Sequence, residues 1–184
     1  FDESAWTGVA GEIKDTSGNI QHASRVGLAA SVAPPPAFPG GKLCRGGSFP
    51  LNTLNTTIGA VATPITPGNQ GSIDFWFNSN VAWNAGGSVA MLLDATTVAN
   101  RPFFLMKSAA GALTFRLTDS AGTSVTATAP VRTFAANTWH HVGIAWNVRV
   151  GTNQTVLQIF LDGALQNGVP TRGTTNGIMP GLSS

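Results

Sequence analysis

Apolar and polar residues alternate in short blocks along much of the chain. Ile73, Phe75 and Phe77 alternate with Ser72, Asp74 and Trp76, a period of two that sends successive side chains to opposite faces of a strand. The same period sets Leu113, Phe115 and Leu117 against Thr114, Arg116 and Thr118. It sets His140, Val142, Ile144 and Trp146 against Trp139, His141, Gly143 and Ala145, and Leu157, Ile159 and Leu161 against Gln158, Phe160 and Asp162. Residues 89–94 and 103–107 are apolar runs too short for helices and predict buried strands. Asp119-Ser120-Ala121-Gly122 reads as a hairpin turn returning into a Thr-rich strand at 123–128. Asp162-Gly163 predicts a tight hairpin, with 164–169 as its returning strand.

Helix signals are weak. The best is 52–58, where Thr content argues against length. Residues 29–41, with Pro34-Pro35-Pro36, Pro39 and Gly40-Gly41, resemble a linker, but too little chain precedes them to form a domain, so a long surface loop is expected. Strands at roughly regular spacing, joined by turn chemistry, predict an all-β sandwich or jelly roll. One domain over 1–184 is expected, as a piece of a larger protein.

Composition narrows the function classes. Charged residues are 10% of the 184, against about 25% in ordinary soluble domains. The ten Lys and Arg residues lie singly, and the net charge is +2. A nucleic-acid binder gathers its cations into a stripe, so no nucleic-acid partner is expected. No apolar run approaches the roughly 20 residues of a membrane-spanning helix, so no membrane insertion is expected. The one cysteine, Cys44, reads as a small buried apolar residue or as the partner of a thiol elsewhere. A chain rich in Thr, Ser, Asn, Ala and Gly suits an extracellular or cell-surface bacterial protein.

The most specific feature is Trp139-His140-His141-Val142-Gly143-Ile144-Ala145-Trp146 followed by Leu157-Gln158-Ile159-Phe160-Leu161-Asp162-Gly163. It resembles the paired central strands of laminin-G-like domains in the concanavalin A-like lectin and glucanase superfamily. Gly71-Ser72-Ile73-Asp74-Phe75-Trp76-Phe77 is similar to a further strand of that family. Phe1-Asp2-Glu3-Ser4-Ala5-Trp6, Asp15-Thr16-Ser17-Gly18-Asn19 and Cys44-Arg45-Gly46-Gly47-Ser48-Phe49 resemble segments of bacterial, pilus-associated members. The resemblance implies a concanavalin A-like jelly roll that binds glycans, proteins or calcium on its rim. It also implies a closing strand paired with the first one. Residues 171–184 show no strand pattern, so that pair is expected to be missing, leaving an edge for strand exchange with a neighbouring chain or with the rest of the same polypeptide.

Candidate chemistry is sparse. His140 and His141 are neighbours on a strand and point to opposite faces, so they cannot share one metal ion without distortion; structural roles are expected. Retaining glycosidases need two carboxyl groups about 5 Å apart, yet the two glutamates, Glu3 and Glu12, lie near the N-terminus, and Asp74 and Asp162 stand alone on their strands. No catalytic residue is assigned and no enzyme is expected. Calcium is the one cofactor the resemblance admits, with Asp2, Glu3 and Asp94 as weak ligand candidates and Asp15 and Asp119 expected to brace turns. Trp76, Trp139 and Trp146 read as core or sheet surface. Trp83 lies in a polar connection with Asn80 and Asn84, which admits two readings. Its ring stacks on a sugar while the amides bond hydroxyls, or it folds back to cap the core. The expected function is a non-catalytic, lectin-like recognition or adhesion module whose partner is a glycan or surface protein. The alternatives are a structural or filament subunit, and then a glycoside hydrolase.

Overall fold

The computed structural model describes residues 4–10, 12–14, 22–26, 30–32, 41–43, 46–49, 57–59, 68–85, 89–95, 103–166 and 170–179, and every regular element among them is a β-strand. The chain packs as two compact units, Phe1–Ile65 with Ser184, and Thr66–Ser183.

The first unit holds β1 (Ser24–Val26), β2 (Ala30–Val32), β3 (Gly46–Ser48) and β4 (Thr57–Gly59). β1 pairs with β4 and β2 with β3, both antiparallel. Trp6 and Ile13 are buried against Ala23, and Ile13 bridges to Ala23 through a pair of 2.9 Å backbone bonds. The expected loop at 29–41 is corrected where β2 begins, and its remainder apart from Gly41 lies outside the described residues. Thr57 and Ile58 stand in β4, not in a helix, as suits two β-branched residues; residues 52–56 lie outside the described residues, as does Cys44.

The second unit is a sandwich of two antiparallel sheets. Its strands are β5 (Gln70–Asn78), β6 (Ala90–Ala95), β7 (Phe103–Lys107), β8 (Leu113–Thr118), β9 (Ser124–Thr128), β10 (Trp139–Asn147), β11 (Gly151–Leu161), β12 (Ala164–Leu165) and β13 (Thr171–Thr175). One sheet runs β5-β10-β11, with β12 and β13 both pairing along the far edge of β11, and the other runs β6-β7-β8-β9. The alternation seen in the sequence maps onto these faces. Phe103, Leu105, Phe115 and Leu117 meet Val142, Ile144, Trp146, Leu157 and Ile159 in one buried core. Phe103 lies edge-on to both Phe115 and Trp146, with centroids 5.2 Å apart, the preferred geometry of aromatic pairs. Gly71 faces that cluster because a β-carbon there would overlap the Trp146 indole.

The side where β9 packs against β11 and β13 is closed by Asp119. Its carboxylate accepts backbone N–H groups from Ala121 and Thr123 in its own turn and from Asn176 and Gly177 beyond β13, at 2.7–2.9 Å. Burial raises the Asp119 carboxyl, but these four bonds outweigh it and leave its pKa below the usual carboxylate value. The turn-bracing role expected of Asp119 is what the structure shows. Gly173 of β13 lies so close to Val125 that any β-carbon would overlap it.

Three expectations about this unit are corrected. The return after Asp162-Gly163 is a strand only at Ala164–Leu165; Gln166 still donates its N–H to Ile159, and 167–169 lie outside the described residues. β11 starts at Gly151 rather than at 157, its first residues reaching β13 across a bulge. Residues 171–175, expected to lack strand structure, form β13 and pair with β11.

Candidate functional site

The two adjacent histidines of β10 lead separate lives, as neighbours on a strand must. His140 turns inward at the end of the sandwich. Its Nδ1–H donates to Asp162 Oδ2 at 2.8 Å, its Nε2 lies 3.0 Å from the Thr138 hydroxyl, and its ring stacks on Phe134 with centroids 3.6 Å apart. Asp162 Oδ1 accepts the His141 backbone N–H at 2.9 Å, and the Asp162 N–H donates to the His141 carbonyl. Partial burial raises the Asp162 carboxyl, but the His140 hydrogen bond, the His141 N–H and the charges of both imidazoles outweigh it and hold the pKa low. One aspartate thus ties the β11–β12 turn to β10, which gives the Trp-His-His and Asp-Gly segments a shared structural purpose.

Trp83 completes this cluster. It is 0% exposed, with Phe77, Phe134 and His140 edge-on to its ring at 5.0–5.8 Å. Its backbone N–H donates to Phe134 O at 3.0 Å, and its backbone carbonyl accepts from the buried Lys107 ammonium at 3.0 Å. Lys107 also donates to Ser108 O, and burial pushes its pKa down. A fully enclosed ring has no face for a sugar, so the stacking reading of Trp83 is corrected; the geometry is that of the core-capping alternative. Asn80 and Asn84 flank it as exposed residues and have no stacking ring between them.

The opposite face of the β5-β10-β11 sheet carries a different set. A shallow groove of about 370 Å³ runs over Gly143 and Ala145, between Ser72 and Asp74 on β5 and Phe160 on β11. At one end His141 donates Nε2–H to Asp74 Oδ2 at 2.9 Å, and the Trp76 ring leans on the imidazole with centroids 5.1 Å apart. Trp76 is 40% exposed and the Asp74 side chain 69% exposed. Sequence reasoning did not single out this groove. Its signal was present: Trp76 and Phe160 occupy the polar phase of their strands, and Gly143 interrupts the middle of a third.

Asp94 is exposed on β6, and Asp2, Glu3 and Asp15 lie outside the described residues. Glu12 accepts from the backbone of Thr7 and Gly8 and from the Thr7 hydroxyl. Among the described residues no three His, Cys, Asp or Glu side chains gather as metal ligands. Among the described residues no helix is long and apolar enough to cross a membrane.

Two antiparallel sheets around a single apolar core, with no helix among the described residues, define a sandwich of the concanavalin A class. Residues 53–178 match a laminin G family model of the concanavalin A-like lectin/glucanases superfamily, and the chain belongs to that superfamily. No curated protein and no solved structure gives a significant match.

Proposed function

We propose that the chain is a non-catalytic, lectin-like recognition or adhesion module of a bacterial surface protein. The observation that carries this reading is the groove on the outer sheet face, where an exposed tryptophan stands beside an aspartate–histidine pair. Binding sites commonly combine apolar rings with a few placed polar groups. Among the described residues Asp74 is the one carboxylate lining this groove, whereas glycoside hydrolysis uses two. The scarcity of charge and abundance of Thr, Ser, Asn and Gly support an extracellular setting. The pilus link is part of this proposal because the opening segment resembles segments of bacterial, pilus-associated members of the family. Function does not follow from fold alone, so the test is direct. A glycan array probed with and without calcium is expected to return at least one specific saccharide. Silence on every saccharide overturns the reading, and loss of signal on calcium removal assigns the ion, with Asp94 among its candidate ligands.

A second reading, a structural or filament subunit that binds protein partners, rests on β5. Among the described residues this nine-residue strand pairs with β10 alone, and its inward Ile73, Phe75 and Phe77 are only partly buried. Unpaired strand edges accept added strands. Light scattering that shows concentration-dependent self-association, with no saccharide bound, favours this reading over the first.

A further inference from the structure

The glycines of the β5-β10-β11-β13 sheet are not alike. Gly71 and Gly173 are forced, because a β-carbon at either would overlap Trp146 or Val125. Gly163 and Gly151 have positive φ, at 80° and 125°, which L side chains rarely adopt. Gly143 has neither reason. A β-carbon there would meet Phe160 Cβ at 3.5 Å and Asp74 Cβ at 3.8 Å, ordinary van der Waals contact. Glycine in mid-strand weakens the strand, so the absent side chain calls for another explanation. Its effect is spatial: it leaves the floor of the groove open between Asp74 and Phe160.

The charged acceptor lining this groove is the Asp74 carboxylate. Asp74 uses one carboxylate oxygen on His141, and its Oδ1 has no partner among the described residues. Because a carboxylate only accepts, His141 donates to it from Nε2–H. The Ser72 hydroxyl lines the same groove, and neither Lys nor Arg does. We infer that the groove over Gly143 is a saccharide site for uncharged, hydroxyl-rich sugar rings, with Gly143 as the position that keeps it open and Asp74 as the group that turns anionic sugars away. Phe160 in the lining, with Trp76 packed against His141 beyond its end, supplies aromatic surface for the C–H faces of the ring, and Asp74 and Ser72 take its hydroxyl protons. This assignment rests on the recognition reading above.

The test uses the 184-residue chain and its Gly143→Ala, Gly143→Val and Trp76→Ala variants. The probes are laminarin and N-acetylchitopentaose as neutral saccharides, and polygalacturonate and heparin as anionic ones, followed by calorimetry. A neutral probe is expected to bind the wild type, with the anionic probes silent. Gly143→Val is expected to weaken that binding at least tenfold while Tm holds or rises, and Gly143→Ala is expected to raise Tm by about 2 °C. A structural role for the glycine would lower Tm instead, and that result overturns the assignment. Trp76→Ala is expected to weaken binding with little change in Tm. A saccharide that binds wild type and all variants equally overturns the groove and leaves the recognition reading standing. Binding of anionic probes alone overturns the selectivity, and silence on all four overturns the assignment of the groove, while the recognition reading is decided separately by the glycan array.

Discussion

The indole of Trp83 fills the end of the sandwich against Phe77, Phe134 and His140, and it heads the fully buried side chains by volume. Its Nε1–H has no acceptor among the described residues, so its contribution is apolar burial and ring packing. Trp83→Ala is expected to cost about 3–5 kcal/mol, read by urea unfolding; a loss below about 1 kcal/mol would place the ring outside the core. The sequence around Trp83 left its direction open. Asn80, Asn84 and the nearby glycines describe a polar loop, while the groups that hold the ring inward, Lys107 and Phe134, come from β7 and from the segment before β10. No local pattern records contacts of that span. Trp76 hid for the opposite reason: inside a clean alternation it read as sheet, and only the register beside His141 shows it flanking a groove.

At the scale of elements, the Asp162-Gly163 hairpin was the most readable feature. Leu161 pairs directly with Ala164, and the two turn residues have φ of 51° and 80°, the doubly positive signature of a type I′ turn. Gly163→Val forces a β-branched side chain into that region and is expected to destabilise by about 1 kcal/mol or more. Thermal unfolding checks this, and an unchanged midpoint would mean the turn tolerates another geometry. Strands β5, β7, β8, β10 and the end of β11 were legible because each hides one apolar face, and period two records that burial. β13 was not legible. Thr171, Arg172, Gly173, Thr174 and Thr175 offer no apolar face, and their strand depends on pairing with β11 and on Gly173 lying against Val125 in the other sheet. β2 and β4, three residues each, are too short to show any period.

At the scale of the whole sandwich, Asp119 links the β8–β9 turn, where it accepts two backbone bonds, to the segment after β13, from which it accepts two more. Its folded pKa lies below the usual value, so the unfolded chain takes up its proton first as the pH falls. The stabilisation is complete above the unfolded value of about 3.9 and disappears as the pH drops through the folded one. Denaturation across a pH series should show an acid limb below about pH 4. Asp119→Asn should flatten that limb and cost about 1–3 kcal/mol at neutral pH, since an amide oxygen cannot replace two carboxylate oxygens. An unchanged limb would assign the acid sensitivity to other carboxylates, with Asp162 the first to examine.

The pairing of β5 with β10 carries a consequence in time. Asp74 and His141 are 67 residues apart in the chain, and synthesis at about 5–20 residues per second separates their emergence from the ribosome by roughly 3–13 s. Through that interval β5 presents Ile73, Phe75 and Phe77 without its β10 partner, while the hairpins β7–β8 and β8–β9 close from neighbouring sequence within microseconds. The strand that lines the groove is therefore held out of its sheet until β10 emerges, with β11 and β13 still to follow, and the nascent chain passes through a stage at which a chaperone or a second nascent copy competes with β10 for the same edge.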